Sequence, residues 1–229
     1  MLEHVPAWLG QALHGLRAGA DSLVIARAGL APGLHHQAGA GFATMALTSP
    51  AFAHEAPLPP RFTADGAGIS PPLLWDAPPP GTAALALIVE DADAPTPSPL
   101  VHAIVWHIGA DMRRLAEGAI VADGDGPSSD GGAGPGAEPL IGPNGDVGRN
   151  SYLREGWLPP DPPTGHGLHR YAFQLFALDA ALGDPGASPG RAALIEAITG
   201  HVLAAGLLIG TYARDEEAPV GPVAVGLPA

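Results

Sequence analysis

Runs of apolar residues in the middle of the chain predict two strands of a buried sheet. Residues 84–89 read ALALIV, and a continuous apolar run of that length is typical of a strand buried on both faces. Acidic residues, alanines and a proline follow at positions 90–95, and we expect them to end this strand because they do not continue a buried core. Residues 100–108, LVHAIVWHI, predict a second core strand. Its alternation places His102 and Trp106 on the same face.

A stiff loop leads into a third predicted strand. The stretch GWLPPDPPTGHGL is rich in proline and glycine, which favours an irregular loop of restricted conformation. The strand that follows opens with His169, Arg170 and Tyr171. Because successive side chains of a strand point to opposite faces, His169, Tyr171 and Phe173 share one face and Arg170 points the other way. We place His166, which lies in the glycine turn before the strand, at the protein surface.

Helical spacing is confined to short segments near the two ends of the chain. Residues 7–18 carry apolar side chains at helical spacing and predict a short amphipathic helix, packed on the domain or on a partner subunit. A second helix is predicted to begin at Ser188, which can cap it, and Pro189, which suits a first turn, and to continue through Ile198. Beyond Gly200 we expect a brief extension of this helix and then a last strand.

The composition indicates one main domain with appendages. A chain of 229 residues with 46% hydrophobic and 14% charged residues can bury a substantial core, while 32 glycines and 27 prolines require many turns and stiff loops. We place an N-terminal amphipathic helix and linker in residues 1–44, the main domain in residues 45–214 and a tail in residues 215–229. The low-complexity acidic stretch at about residues 122–140 is interpreted as a flexible surface insertion.

The charge balance and the absence of cysteine exclude several classes of function. A formal net charge of −13 argues against nucleic acid and anionic lipid surfaces as partners. With no cysteine there is no disulfide, thiolate metal site or cysteine nucleophile. No apolar run reaches the ~18–20 residues of a transmembrane segment. Residues 42–53 end in the A-x-A pattern of a signal peptidase site at residues 51–53, but the apolar stretch is short and broken, so we predict strand structure in residues 42–53 and a cytoplasmic protein.

Ionisable and hydrogen-bonding side chains gather near the ends of the predicted strands. Asp91 and Asp93 follow the ALALIV strand, His102 lies in the second strand, and His169 and Tyr171 open the third. If these strand ends meet, the carboxylates orient the imidazoles and favour their protonated forms. The pattern then predicts a small pocket with cationic donors, suited to phosphate or carboxylate. Each residue alone has a plainer interpretation, since a single histidine in a strand is more often a hydrogen-bonded core residue than a ligand contact.

Several ordered motifs make the sequence resemble the phosphatidylethanolamine-binding protein family, in the bacterial branch often called Raf kinase inhibitor-like. The matching segments are the acidic D-P-D-A-P motif at residues 91–95, the H-x-x-x-W pattern at His102 and Trp106, the G-Y-x-G-P-x-P-P motif at residues 156–163, the H-R-Y motif at residues 169–171, and two blocks at residues 70–75 (SPPLLW) and 200–214 (GHVLA…GTYAR). Together they span about residues 45–214.

The resemblance implies a mainly β, β-rich α+β fold, in which a large central antiparallel sheet packs on a smaller sheet with a few peripheral helices. It also implies a shallow anion pocket at one end of the large sheet, which takes phosphate, acetate or a phospholipid headgroup. Carried over to the matching positions, the ligand-binding residues are Asp91, Asp93, His102, Trp157, Pro160, His169 and Tyr171. The resemblance implies no catalytic residue, metal or cofactor.

Three positions depart from the family motifs. Ala92 replaces the first proline of the acidic motif, which loosens a turn. Trp157 replaces a tyrosine, so that a hydroxyl is lost while an aromatic wall with an N–H donor is kept. Pro159 replaces a glycine and fixes φ near −65°, so we expect narrower access to the pocket.

Three functions remain open at this point. The leading hypothesis is a non-catalytic binding protein for a small phosphorylated or carboxylated ligand, with a regulatory role as one option. The second is an inhibitor of a kinase or protease, because some members of the family act by binding such proteins and the stiff loop offers a rigid surface. The third is a hydrolase or metal enzyme that uses the histidines and aspartates, although no nucleophile is visible beside them. A homodimer formed through the N-terminal helix is a further option.

Overall fold

The computed structural model describes residues 7–28, 43–121, 146–183 and 188–214, and these residues form a β-rich fold. The strands are β1 (Ala43–Thr44), β2 (Leu47–Thr48), β3 (Ala56–Pro57), β4 (Leu73–Trp75), β5 (Ala84–Asp91), β6 (Leu100–Gly109), β7 (Arg114–Leu115), β8 (Asp146–Val147), β9 (His169–Leu178) and β10 (Val202–Tyr212). The helices are α1 (Ala7–Leu13), α2 (Val24–Ala28) and α3 (Arg191–Ile198), with 3-10 turns at Ala20–Ser22 and Pro60–Phe62.

Two sheets form the framework, as the fold-class prediction requires. The large sheet has the order β1-β10-β9-β5-β6-β8, and its four long strands are paired antiparallel. The two-residue strands β1 and β3 pair with β10 in parallel, so the edge of the sheet is mixed. The small sheet has the antiparallel order β2-β4-β7. The prediction of a large central antiparallel sheet beside a smaller one is confirmed.

The main core lies between the two sheets, on what we call the inner face of the large sheet. Leu87 of β5 and Phe173 of β9 pack here with Leu73 and Trp75 of the small sheet. The predicted alternation of β9 is confirmed, because Tyr171 and Phe173 share this face. Burial of such side chains supplies most of the stabilisation, at ~25 cal/mol per Å² of apolar surface removed from water.

Helices α2 and α3 cover the opposite, outer face of the large sheet. Val24 of α2 and Leu194 and Ile198 of α3 pack there with Ile104 and Phe176 of the sheet. Every residue of β5 is buried, which confirms the prediction that the ALALIV strand is covered on both faces. The N-terminal segment, defined here as residues 7–28, therefore packs directly on the domain that it precedes.

Strand β5 continues through the two acidic residues that were predicted to end it. Glu90 is 0% exposed on the outer face, where its carboxylate accepts hydrogen bonds from the backbone N–H of Val24 (2.9 Å) and the Nε2 of Gln174 (2.8 Å). The guanidinium of Arg191, the first residue of α3, forms an ion pair with the same carboxylate. The expectation was wrong because a carboxylate with this set of partners can be buried in a strand.

Two bulges in β6 break the alternation predicted for that strand. Val89 of β5 pairs with Ala103 while Glu90 pairs with Val101, which leaves His102 as an extra residue without a partner in the register. A second irregularity lies at His107, whose φ is 53°. The prediction that His102 and Trp106 share a face is wrong, because a bulge turns the following side chains to the other face. Trp106 packs on the outer face, and His102 lies beside Tyr171 of the inner face.

Both predicted helices are shorter than expected. Helix α1 covers only the first half of residues 7–18. Helix α3 begins at Arg191 with Gly190 as its N-cap residue, and Ser188 does not cap it. Ser188 has a φ of 57°, a left-handed conformation outside the helix. The expected extension beyond Gly200 is also wrong, because β10 begins at Val202 directly after the turn.

Several sequence predictions fall on residues that the structure does not describe. They are the linker at residues 29–41, the acidic insertion at about residues 122–140 and the tail at residues 215–229. Within the described ranges, no helix has the length and apolar character needed to cross a membrane.

Candidate functional site

The ends of three neighbouring strands bring four predicted site residues together. Asp91 ends β5, His169 and Tyr171 begin β9, and His102 lies near the start of β6. Strand β5 lies between β6 and β9 in the sheet, so His102 and Tyr171 meet across the end of β5 and not as residues of adjacent strands. The ring centroids of His102 and Tyr171 are 5.0 Å apart in an edge-to-face arrangement.

His169 is held by partners on both of its ring nitrogens. Its Nδ1 lies 2.7 Å from Oδ2 of Asp91, and its Nε2 lies 2.7 Å from Nδ1 of His166. The Nε2 of His166 lies in turn 2.9 Å from the carbonyl oxygen of Leu13 at the end of α1. The surface position predicted for His166 is wrong: the residue is 0% exposed because the N-terminal segment covers it. His166 therefore joins the site that its sequence neighbour His169 was predicted to form.

The hydrogen bonds require one net positive charge on the two imidazoles. The carboxylate of Asp91 and the carbonyl of Leu13 are acceptors, so Nδ1 of His169 and Nε2 of His166 must each carry a proton. One further proton lies between the two histidines, which gives three protons on two rings. Burial and the neighbouring His169 lower the pKa of His166.

His102 is neutral and presents an unused acceptor. Its Nδ1 lies 2.7 Å from the carbonyl oxygen of Leu158 and must donate to it, which leaves the lone pair on Nε2. Burial lowers the pKa of His102, although the charge of Asp91 acts in the opposite direction. The Nε2 atom is buried and has no hydrogen-bond partner within the described part of the chain.

Tyr171 presents an unused donor beside His102. Its side chain is fully buried, and its hydroxyl has no hydrogen-bond partner among the residues that the structure describes. Burial raises the pKa of Tyr171, with a further contribution from the charge of Asp91, so the phenol keeps its proton at neutral pH. Buried polar groups in folded proteins nearly always have partners, because an unsatisfied one costs ~1–3 kcal/mol. Two such groups side by side leave a donor and an acceptor unused at the strand ends.

These groups line one end of a large cavity. The cavity has a volume of about 1100 Å³, and Asp91, His102, His169 and Tyr171 lie on its wall. Most of the remaining wall consists of apolar side chains, which come from α1, residues 94–100, residues 118–121 and the loop at 156–163. Polar side chains also line the cavity at residues 150–161, among them Asn150, Arg154 and Asp161, so the polar groups lie at the strand ends and along this segment of a mainly apolar cavity.

The proline-rich loop, residues 156–163, forms the rim of this cavity. Trp157 lines the cavity and stacks on Phe173 at a centroid distance of 6.0 Å, but its indole N–H already donates to the carbonyl oxygen of Phe62. Trp157 thus supplies an aromatic wall and no free donor. Pro159 also lines the cavity and packs closely on Gly68. A Cβ atom at position 68 would lie 3.0 Å from the proline ring, and the φ of Gly68 is 67°, so both the space and the backbone conformation favour glycine there.

An ion-pair cluster fixes the rim to the end of the large sheet. The guanidinium of Arg214 binds the carboxylates of Asp65 and Asp161 and the carbonyl oxygen of Pro162. Pro160 is buried beneath the rim and does not line the cavity; its carbonyl accepts a hydrogen bond from the backbone N–H of Ala64. Pro160 accordingly holds the loop in place and does not face a ligand.

Asp93 lies outside the cavity, in contrast to the other acidic residue of its motif. Its carboxylate binds the guanidinium of Arg170 through both oxygens, and it also pairs with Arg17 of the N-terminal segment at 2.7 Å. Burial raises the pKa of Asp93, but the hydrogen bonds from the two arginines outweigh this and the net pKa is lowered. Asp93 is thus an anchor for the N-terminal segment. As predicted, Arg170 points away from His169 and Tyr171.

Two residues were missed in the sequence: His166, which contributes to the site, and Arg17, which anchors the N-terminal segment outside the cavity. His166 lies in a glycine-rich turn, and only the contact with α1 makes it part of the site. Arg17 has no local signal, because its partner Asp93 lies far along the chain, beyond strand β5. Among the described residues, no three histidine, aspartate or glutamate side chains are grouped to hold a metal ion.

The family comparison agrees with the motifs at the strand ends. A family model described as phosphatidylethanolamine-binding protein matches residues 48–213. A UPF0098 protein of Methanothermobacter thermautotrophicus is 39% identical over 172 residues, which cover 74% of this chain and 99% of the relative. A UPF0098 protein of Chlamydia pneumoniae is 37% identical over 175 residues, which cover 75% of this chain and 100% of the relative.

Solved structures share the fold. The crystal structure of CT736 of Chlamydia trachomatis, a phosphatidylethanolamine-binding protein homologue, has a TM-score of 0.62 and 34% identity, and the match covers 75% of this chain and 99% of that one. Escherichia coli YbcL, described as a member of the mammalian family, has a TM-score of 0.63 and 25% identity at the same coverage. The N-terminal segment lies before the first residue that the family model matches.

Proposed function

Because this chain belongs to the phosphatidylethanolamine-binding protein family, we propose that it is a non-catalytic binding protein whose cavity holds a small anionic group, a phosphate or a carboxylate. The observation that carries the proposal is the pair of buried, unpartnered groups at the strand ends, the hydroxyl of Tyr171 and the Nε2 of His102. The arrangement favours binding over hydrolysis, because these two groups supply a donor and an acceptor and no activated nucleophile.

The local charges favour an anion in spite of the acidic protein as a whole. The single positive charge on the imidazoles of His169 and His166 balances the negative charge of the Asp91 carboxylate. The net charge of these three side chains is therefore close to zero. Tyr171 donates one hydrogen bond to the anion. His102 donates a second after taking up a proton, and the resulting imidazolium supplies the charge that attracts an anion.

Replacing Tyr171 by phenylalanine tests the proposal. The Y171F protein should bind inorganic phosphate more weakly by about 1.5–3 kcal/mol, because a hydrogen bond to a charged group is lost. Its free energy of unfolding should stay the same or rise, since the lost hydroxyl has no partner in the described part of the protein. Isothermal titration with phosphate and urea unfolding measure the two quantities.

Tyr212 provides a matched control for this substitution. Its hydroxyl donates to the carboxylate of Asp65, where solvent competes because that side chain is 34% exposed, so Tyr212→Phe should lower the free energy of unfolding by only about 0.5–1.5 kcal/mol and leave phosphate binding unchanged. A folded Y171F protein that binds phosphate as tightly as the wild type would show that the hydroxyl does not contact the anion, and the proposed site would be wrong.

The rim supplies an observation that favours a second candidate, inhibition of a kinase or protease. A loop already ordered by prolines and by the Arg214–Asp161 ion pair can contact a partner protein with little further loss of entropy. Capture experiments with the wild type and with Asp161→Asn test this candidate. Loss of a specific partner in the variant supports it, and absence of any partner for the wild type removes it. The cytoplasmic location and a homodimer stay predictions.

A further inference from the structure

The cavity is much larger than the anionic group assigned to it. Pockets of ~300–1,000 Å³ enclose whole drug-sized ligands, and this one measures about 1100 Å³. Its polar groups lie at the strand ends and at residues 150–161, whereas Leu9 and Leu13 of α1 contribute apolar wall. These two leucines are four residues apart and so lie on the same face of the helix.

Specific contacts hold α1 in this position. Gly10, between the two leucines, packs so closely on the loop before β9 that a Cβ atom would lie 2.1 Å from the carbonyl oxygen of Thr164. His166 donates to the carbonyl of Leu13, and Arg17 pairs with Asp93 and donates to the carbonyl of Leu168. The wall is therefore a built part of the cavity.

The rest of the N-terminal segment ties the wall to the sheet. The backbone N–H groups of Ala18 and Gly19 donate to the carbonyls of Ala94 and Ala92 in the acidic motif. Further along, Val24 donates to the buried carboxylate of Glu90. All of these residues of the segment precede the range that the family model matches. The wall is therefore formed by residues outside the matched domain.

We propose that Leu9 and Leu13 are ligand-contacting specificity residues, and that they select an anion which carries an apolar substituent. The inference rests on the proposed function, because the anionic group must lie at His102 and Tyr171 for the substituent to extend toward α1. The substituent is an alkyl or aryl group, since the two leucine side chains offer it no hydrogen bond. Inorganic phosphate would occupy the polar end and leave this wall without contact.

A series of ligands that differ only in the apolar group tests the inference. Inorganic phosphate, methyl phosphate, butyl phosphate and hexyl phosphate are titrated into the full chain at one pH and ionic strength. Burial of each methylene contributes up to about fourfold in affinity, so hexyl phosphate should bind at least about tenfold more tightly than methyl phosphate. The double variant Leu9→Ala/Leu13→Ala should bind inorganic phosphate as the wild type does and lose most of the gain with chain length.

Leu16→Ala is the matched control, because Leu16 belongs to the same segment, is 57% exposed and does not line the cavity. It should retain the full dependence on chain length. Alanine keeps helix propensity high, and circular dichroism together with urea unfolding shows whether α1 stays docked in the double variant. If α1 undocks in the double variant, the single variant Leu13→Met is used instead. It keeps an apolar side chain at this position, so it should show the same dependence of affinity on chain length as the wild type.

The outcomes separate the inference from the proposed function. If phosphate binds but hexyl phosphate binds no better than methyl phosphate, the inference is overturned and the anion site stands. If neither inorganic phosphate nor any ester binds, the proposed function itself fails.

A second arm uses phosphatidylcholine vesicles that contain dihexadecyl phosphate. Binding to these vesicles as well as to free hexyl phosphate supports the inference with a membrane lipid as the source, and binding to the free ester alone supports it with a soluble amphiphile.

Discussion

Replacing Arg191 by methionine should lower the free energy of unfolding by about 3–5 kcal/mol, the usual effect of removing one partner from a buried ion pair. The carboxylate of Glu90 is 0% exposed, and the guanidinium of Arg191 is its only charged partner among the described residues. The same guanidinium also donates to the carbonyl of Ser22 in the N-terminal segment. The substitution therefore leaves a buried negative charge and releases a contact that joins α3 to this segment.

Two comparisons identify the cause of the loss. Adding Glu90→Gln to Arg191→Met removes the uncompensated charge and should recover at least half of the lost stability. Arg61→Met breaks the ion pair with Glu117, in which both side chains are exposed, and should cost less than about 1 kcal/mol. Urea unfolding of the wild type and the three variants measures these differences. An Arg191→Met protein as stable as Arg61→Met would show that Glu90 is solvated or protonated in the folded state.

The sequence predicted those parts of the site that depend on regular strands. Alternation in β9 correctly placed Tyr171 on the inner face and Arg170 on the other, because β9 pairs without a bulge along its first residues. The continuous apolar run predicted a strand covered on both faces, and the motif resemblance predicted the two sheets. These features follow from a period of two residues, which sequence patterns report directly.

The missed features depend on tertiary contacts that no local pattern encodes. His102 reaches the inner face because it is the extra residue of a bulge, and a bulge shifts the register without changing the apolar pattern. Glu90 stays in its strand because Arg191, 101 positions later, forms an ion pair with it. His166 is buried because α1 folds back over it from 153 positions earlier. In each case the partner is distant in the chain.

The affinity for a dianion should rise as the pH falls from 7.5 to 5.5, by up to about a hundredfold. Without an anion, burial holds the pKa of His102 below its usual value near 6.5, so the ring is neutral at pH 7.5. An anion next to Nε2 favours the imidazolium and raises that pKa, so binding takes up a proton. Affinity then changes by at most about tenfold per pH unit between the pKa of the bound state and that of the free state, and it levels off below the lower value.

Sulfate is the suitable probe for this experiment, because it does not itself change charge between pH 5.5 and pH 7.5. Isothermal titration in buffers with different heats of ionisation should give close to one proton taken up per sulfate near pH 7. His102→Gln cannot take up that proton, so its affinity for sulfate should be lower and should depend less on pH. Sulfate affinity that is the same at both pH values in the wild type would show that His102 stays neutral, and the proposed role of its imidazolium in attracting the anion would be wrong.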